Sequence, residues 1–194
     1  MFKKTSLALA AAAVLFSGIA SAKTTSYEID PTHTAAVFTW DHFGFSTPSG
    51  NFTDIRGQIH FDDKQPKNSS VNVTIPVTSL NTNVSALDEH LKAADFFDAA
   101  KYPTISFKST KVETKDNKKF KITGDLTIKG ITKTVVLDTV LNKKADHPMQ
   151  KVPAIGFNAT TSFDRSAFGV ANYVPNVGDK ITVQITTEAL HKAP

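Results

Sequence analysis

The chain has 194 residues, no cysteine and a formal net charge of +4 at pH 7. The lack of cysteine excludes disulfides, thiol catalysis and cysteine-ligated metals. Arginine occurs only at Arg56 and Arg165 and the lysines are scattered, so the charge does not indicate a nucleic-acid-binding protein.

The first predicted element is a secretory signal peptide over residues 1–22. It combines basic Lys3 and Lys4, an apolar run from Leu7 to about Ile19, and the small residues of Ala20-Ser21-Ala22. The run is shorter than the roughly 20 residues that cross a bilayer, so we expect no stable membrane insertion. Cleavage would leave residues 23–194 as one soluble domain with a net charge of about +2, exported to the periplasm.

Most of the remaining chain alternates apolar and polar residues with a period of two, which is typical of β-strands. In the segment 71–77, for example, the apolar residues Val71, Val73, Ile75 and Val77 share one face. Turns are indicated at Asp116-Asn117 and Lys129-Gly130, and a polar loop from Asn142 to Pro148. We count eight to nine strands with short connections.

Such a series of strands predicts an antiparallel β-barrel, because closure removes the exposed edges of the sheet. Gly57, Gly124 and Gly156 interrupt strand-like runs, where glycine marks a bulge or bend. An outer-membrane barrel is disfavoured, because the polar face that includes Asp54 and Arg56 would be costly against lipid. Whether an eight-stranded barrel would be filled by side chains or hold a slender ligand stays open at this point.

Residues 79–107 form the one predicted helical interruption after the leader. Ser85, with Asp88 three residues on, predicts the start of a short amphipathic helix that carries Leu87 and Leu91. A second helix is predicted to start at Asp95 and to end before Pro103. The apolar residues of both helices would form either a lid or a cover for one side of the barrel; these are Leu87, Leu91, Phe96 and Phe97.

The motifs SYEIDPTHTAAVFTWDHFGFS, GNFTDIRGQIHFDD, DEHLKAADFFDAAKYPTISF, GDLTIKGITKTVVL, FDRSAFGV and VGDKITVQITTEA together resemble the YceI family of periplasmic lipid-binding proteins. The resemblance runs from about Ser26 to Ala189. It implies an all-β, extended, antiparallel eight-stranded lipocalin-like barrel with a short helical insert. Its elongated apolar pore would hold a polyisoprenoid, an isoprenoid quinone or a fatty-acid-like chain.

The inward phase of the strands gives the candidate ligand-binding residues. A one-residue error in phase would turn a strand's candidates outward. Two polar candidates near a pore mouth could orient a head group. A histidine such as His42 is more often a surface or hydrogen-bonded residue, and an ion pair of Arg165 with Asp164 that braces the barrel end is favoured over head-group binding. The full set is Phe38, Trp40, His42, Ile55, Ile59, Phe61, Val73, Ile75, Phe107, Ile122, Leu126, Leu137, Phe157, Phe163, Arg165, Val183 and Ile185.

The resemblance implies a binding or carrier protein for an isoprenoid lipid, and the residues give no sign of an enzyme or of a cofactor. The six histidines have no metal-ligand spacing, and Gly44-Phe45-Ser46-Thr47-Pro48 lacks the closing glycine of a nucleophile elbow. The alternative is an exported stress-response or protein-interaction module with a packed, ligand-free barrel. A homodimer is left open.

Overall fold

The computed structural model describes residues 24–192 of the chain, so the predicted signal peptide lies outside the described residues. One α-helix, α1, spans Ser85–Lys92, and short 3₁₀ turns lie at Pro31–His33, Pro66–Asn68, Val77–Ser79 and Arg165–Phe168. The strands of the described chain are β1 (Thr25–Ile29), β2 (Ala35–Thr39), β3 (Ser49–Phe52), β4 (Arg56–Phe61), β5 (Ser70–Pro76), β6 (Leu80–Asn81), β7 (Thr104–Thr114), β8 (Lys119–Ile128), β9 (Ile131–Asp146), β10 (Pro153–Asp164) and β11 (Lys180–Leu190).

Eight of these strands form a closed antiparallel barrel in the order β1-β4-β5-β7-β8-β9-β10-β11, and pairing of β1 with β11 completes the ring. The predicted fold class is therefore confirmed. Closure leaves no free edge along the ring, which in an open sheet would invite pairing with another chain.

The other three strands extend the barrel at one end. β2 pairs with β11 beyond the end of β1, β3 pairs with β2, and β6 pairs with β3. β1 and β2 are thus two halves of one long strand, as are β4 with β3 and β5 with β6. The breaks fall at Pro31–His33, at residues 53–55 and at Val77–Ser79. Two of them adjoin proline, which cannot donate a hydrogen bond to a sheet ladder.

The connections alternate between the two ends of the barrel because all pairings are antiparallel. We call the upper end the one that carries residues 40–48, the insert 82–103, the turn 129–130 and the segment 165–179. The lower end carries residues 62–69, 115–118 and 147–152. The long segments at the upper end make it the more elaborate of the two.

The structure corrects two predictions about the insert. The expected second helix is a series of turns from Ala93 to Lys101, and Asp98 has a left-handed backbone, with φ 51°. The N-cap position of α1 is Val84 and not Ser85. Asp88 stabilises the start of the helix instead, because its Oδ1 accepts hydrogen bonds from the Thr82 amide at 2.7 Å and the Thr82 hydroxyl at 2.6 Å.

The polar loop predicted from Asn142 to Pro148 also begins later than expected. β9 continues to Asp146, and its last residues pair with the start of β10. The polarity of this stretch reflects an exposed part of a two-stranded ladder rather than a loop. The turns at Asp116-Asn117 and Lys129-Gly130 lie where the sequence predicts them.

Candidate functional site

The interior of the barrel encloses a cavity with a volume of about 290 Å³. Its walls come from every strand of the ring and are almost entirely apolar. Along β10 alone the lining runs from Phe157 to Phe163, which corresponds to about 20 Å of extended chain. The cavity is therefore elongated along the barrel rather than a local pocket between two strands.

Every predicted ligand-binding residue except His42 lines this cavity. The inward phase read from the sequence is thus the phase that the structure adopts. On β11, for example, Val183 and Ile185 face the interior, and so do their neighbours at two-residue spacing, Ile181 and Thr187. Their contact with a ligand stays a prediction.

The His42 side chain lies outside the cavity. Trp40 is the last cavity-lining residue before the upper-end turn, and His42 is exposed two residues later. Its ring packs edge-on against Phe43, with 4.6 Å between the ring centroids, and its backbone pairs with Ser46 and Val177. His42 is therefore not part of the cavity wall, and its contact with a head group stays a prediction.

Arg165 lines the upper part of the cavity and is only 8% exposed. Its guanidinium donates to three backbone carbonyls, those of Gly178 at 3.0 Å, Val170 at 2.7 Å and Val177 at 2.9 Å. Burial lowers the pKa of Arg165 from its ordinary value. A guanidinium has five N–H groups, so two are left after these three bonds.

The ion pair predicted between Arg165 and Asp164 is not formed, because Asp164 is exposed at the end of β10. The nearby carboxylate of Asp179 instead accepts hydrogen bonds from the Ser166 amide at 2.8 Å and the Ser166 hydroxyl at 2.6 Å. The Arg165 side chain thus braces the upper end by its hydrogen bonds to backbone carbonyls of the segment 165–179, and not by an ion pair with Asp164.

Clusters of aromatic rings line both the lower and the upper part of the cavity. In the lower part Phe61, Phe120 and Phe157 form a triangle with ring centroids 6.2 to 6.3 Å apart. In the upper part Phe38 stacks on Trp40 at 5.7 Å. Aromatic pairs at these distances and angles contribute to packing beyond their buried area.

The insert covers the upper part of the cavity. Leu91, Phe96 and Phe97 line it, whereas Leu87 does not. Phe96 is buried, and the ring of Phe97 meets that of Phe52 edge-on at 6.1 Å. The insert is therefore part of the cavity wall, which fits both a fixed cover and a lid.

Several lining residues were missed by the sequence reasoning. Phe120, Ile128 and Ile105 each lie two positions along a strand from a predicted residue, so the two-residue period of the inner face would have identified them. Threonines of the inner face were passed over because they are polar; they are Thr34, Thr139, Thr161 and Thr187. The Thr34 and Thr187 hydroxyls lie 3.0 Å apart and hydrogen-bond each other, which allows burial without an unsatisfied group.

Within residues 24–192, no three histidine, aspartate or glutamate side chains come together as a group that could hold a metal ion. The helical part of the same stretch includes nothing long and apolar enough to span a membrane.

Comparison with known proteins gives matches over nearly the whole chain. Protein YceI of Escherichia coli O157:H7 is 37% identical over 192 residues, which cover 98% of this chain and 99% of that protein. The crystal structure of the Campylobacter jejuni YCEI protein has a TM-score of 0.71 and 35% identity, and covers 79% of this chain and 90% of that one.

A more distant structure, a polyisoprenoid-binding domain from Saccharophagus degradans, has a TM-score of 0.67 at 9% identity. It covers 87% of this chain and 99% of the other, and shows a shared fold. The family model of the YceI-like domain matches residues 27–189. That match overlaps all eight strands of the ring, and the chain therefore belongs to the YceI family.

Proposed function

We propose that this protein binds and carries the apolar chain of an isoprenoid lipid, either a polyprenyl chain or an isoprenoid quinone, in the cavity of its barrel. The observation that carries the proposal is the elongated apolar cavity of about 290 Å³, with aromatic rings in its lower and upper parts. A fully packed barrel would leave no such volume, so the cavity favours a carrier over a ligand-free interaction module.

The hydrophobic effect supplies the driving force. Each buried CH₂ group contributes about 0.8 kcal/mol, so ten buried carbons give about 8 kcal/mol before costs. Ordering a flexible chain and losing its free tumbling offset several kcal/mol of this. The balance corresponds to micromolar to nanomolar affinity for a long chain and to weak binding of short ones.

Arg165 is the proposed anchor for a polar head group. Three of its N–H groups hold backbone carbonyls, and the side chain still borders the cavity. The two remaining N–H groups suit an oxygen acceptor such as a quinone carbonyl or a phosphate. With Arg165 as the anchor, the proposed head group lies in the upper part of the cavity and the chain below it.

The distant neighbour described as a polyisoprenoid-binding domain supports the choice of ligand class. The basic, apolar and small-residue pattern of residues 1–22 supports export to the periplasm, an aqueous compartment that a prenyl chain cannot cross unshielded. Shielding requires no bond to be made or broken, and we therefore propose a non-enzymatic role.

Native mass spectrometry of the protein purified from its own host, followed by organic extraction, tests this function. We expect a bound species that survives gentle ionisation, and an extract that contains a prenyl chain. The delipidated protein should take up an added prenyl quinone. Protein that is consistently empty and that also ignores the added quinone would overturn the proposal and favour the interaction module.

A further inference from the structure

The upper end of the barrel displays three exposed aromatic side chains that the cavity does not use. Phe45 is 92% exposed, Tyr173 60% and Phe43 51%. We call these three residues the aromatic patch. Exposed aromatics of this size, clustered on adjacent loops, mark an interaction surface rather than ordinary surface composition.

Two loops carry the aromatic patch, and backbone hydrogen bonds join them. The Phe43 amide donates to the Asn176 carbonyl at 3.1 Å, and the Gly178 amide donates to the Asp41 carbonyl at 2.9 Å. In the second loop the Val177 amide donates to the Tyr173 carbonyl at 2.8 Å. The two loops are therefore fixed to each other through their backbones, and the aromatic residues sit on hydrogen-bonded turns.

The backbone of the patch is unusual for aromatic residues. Phe43 has φ 56° and Gly44 has φ 73°, so the tip of the first loop is a turn with two left-handed central residues. Asparagine before glycine suits such a turn better than phenylalanine does. The backbone of Tyr173 is also in the left-handed region, with φ 66°. Placing the half-exposed Phe43 at such a position, beside the exposed Phe45, points to a role outside folding. Tyr173 differs, because its ring also packs on that of Phe96 in the insert, with 6.1 Å between the centroids.

The loops that carry the patch are almost free of charge. Residues 41–48 contain one charged side chain, Asp41, whose Oδ1 accepts a hydrogen bond from the Gly44 amide at 2.9 Å, and residues 171–178 contain none. The lower-end loops are charged, with two aspartates and two lysines within residues 62–69 alone. These two loops can therefore enter an apolar environment without the large cost of desolvating charges, whereas the neighbouring insert carries charged residues such as Lys92 and Lys101 and would have to stay in the polar zone.

The patch also adjoins the cavity. Trp40 precedes its first loop and Val177 lies in its second, and both line the cavity. We propose that the aromatic patch docks the upper end on a lipid bilayer, with its rings at the level of the head groups, so that the apolar chain passes between the membrane and the cavity. Aromatic side chains favour this interfacial zone of a bilayer. The docking role rests on the proposed carrier function, because docking serves to bring the cavity to the membrane that holds the lipid.

Co-sedimentation with sucrose-loaded phosphatidylcholine vesicles tests the docking directly. The variant combines Phe43→Asn, which suits the left-handed turn and should preserve the fold, with Phe45→Ser. The matched control is Met149→Ser, because Met149 is 85% exposed but lies at the lower end. We expect the double variant to lose at least tenfold in vesicle partitioning and the control to stay within twofold of the unsubstituted protein.

Three results would overturn the proposal: no binding of the unsubstituted protein to vesicles, an equal loss in the Met149→Ser control, or unchanged binding of the double variant. Sedimentation equilibrium covers one alternative occupant. If the unsubstituted protein and the Met149→Ser control are dimers, the double variant is a monomer and none of them binds vesicles, the patch contacts a second copy of the chain instead.

A loading experiment separates this inference from the carrier function. Prenyl quinone is offered either in vesicles or as a soluble cyclodextrin complex. We expect the double variant to load normally from cyclodextrin but at least tenfold more slowly from vesicles. Equal loading rates from vesicles would overturn the docking role, whereas failure of the unsubstituted protein to load from either source would overturn the carrier function itself.

Discussion

At the scale of single residues, the missing side chain at Gly124 makes room for the ring of Phe107. A Cβ atom added there would lie 2.6 Å from Phe107 Cε2 and 2.7 Å from the Lys108 carbonyl oxygen. Phe107 is buried and lines the cavity, so its ring has little freedom to move aside. We expect Gly124→Ala to lower the free energy of unfolding by about 1–3 kcal/mol, measured by urea unfolding.

Gly156 provides the matched control, because it also interrupts a strand. A Cβ there would meet nothing closer than the Thr187 carbonyl oxygen at 3.6 Å, an ordinary contact. Gly156→Ala should leave stability unchanged or raise it slightly, since alanine restricts the unfolded chain. If both substitutions lowered the free energy of unfolding equally, contact with the Phe107 ring would not explain the effect of Gly124→Ala.

Asp30 is the residue whose charge we expect to matter most for the dependence of stability on pH. It lies at the break between β1 and β2, where Oδ2 is 2.8 Å from His33 Nδ1 and Oδ1 accepts hydrogen bonds from the amide and hydroxyl of Thr32. The hydrogen bond from His33, followed by that from the Thr32 hydroxyl, lowers the pKa of Asp30 to about 2. The same contact raises the pKa of His33.

The two shifts define a pH window. An unfolded aspartate titrates near 3.9, so the contribution of Asp30 is present above about pH 4 and is lost as the pH falls through its folded pKa of about 2. The contribution of His33 is present below about pH 6.5, its unfolded value, and is lost as the pH rises through its higher folded pKa.

Thermal unfolding of the unsubstituted protein and of Asp30→Asn between pH 2 and pH 8 tests this window. The difference in Tm should be largest near pH 5 to 6, shrink towards pH 2 and decrease again in the alkaline part of the range. A difference that stays constant across the whole range would contradict the charged role of Asp30.

At the scale of elements, the start of α1 depends on Asp88. Its Oδ1 accepts two hydrogen bonds from Thr82, and the Thr82 side of this contact is buried. Asp88→Ala should cost about 1–2 kcal/mol of local stability, because a buried amide and hydroxyl lose their acceptor. Hydrogen exchange measures this loss: the backbone amides of the insert 82–103 should exchange faster in Asp88→Ala than in the unsubstituted protein.

Glu89→Ala is the neighbouring control. Glu89 pairs with Lys92 at 3.2 Å on the exposed face of the same helix, where an ion pair contributes little. Its exchange rates should match those of the unsubstituted protein. Similar acceleration in both variants would mean that helix propensity, rather than the Thr82 contact, limits the insert.

The strands were easier to predict than the insert, for a physical reason. A barrel strand buries one face along its whole length, so the two-residue period records the inward side directly, as Val183 and Ile185 show. Phe96 and Phe97 do not follow a helical rule: both line the cavity, whereas adjacent residues of a helix point in different directions. Packing of both rings on the cavity overrides the local helical signals after Asp95.

At the scale of the whole molecule, the sequence indicated a barrel but could not decide whether it was filled. That outcome depends on the summed volumes of side chains from all strands against the radius of the ring, a quantity that no local pattern carries. Small inner residues such as Ala36 and Ala159 alternate along their strands with large ones such as Phe38 and Phe157. The cavity is what this mixture of sizes leaves open.

Occupation of that cavity should stabilise the entire fold. A ligand that binds only the folded state at 100 times its Kd adds about 2.7 kcal/mol, which for a domain of this size raises Tm by about 5–10 °C. Calorimetry of the delipidated protein with and without prenyl quinone measures the shift. Ala159→Leu should abolish it, because the added carbons would occupy the cavity between Phe157 and Phe163, while Ala145→Leu on the exposed part of β9 should retain it. Ala159 lines the cavity and Ala145 does not. An equal increase in Tm in both variants would therefore mean that the quinone binds outside the barrel.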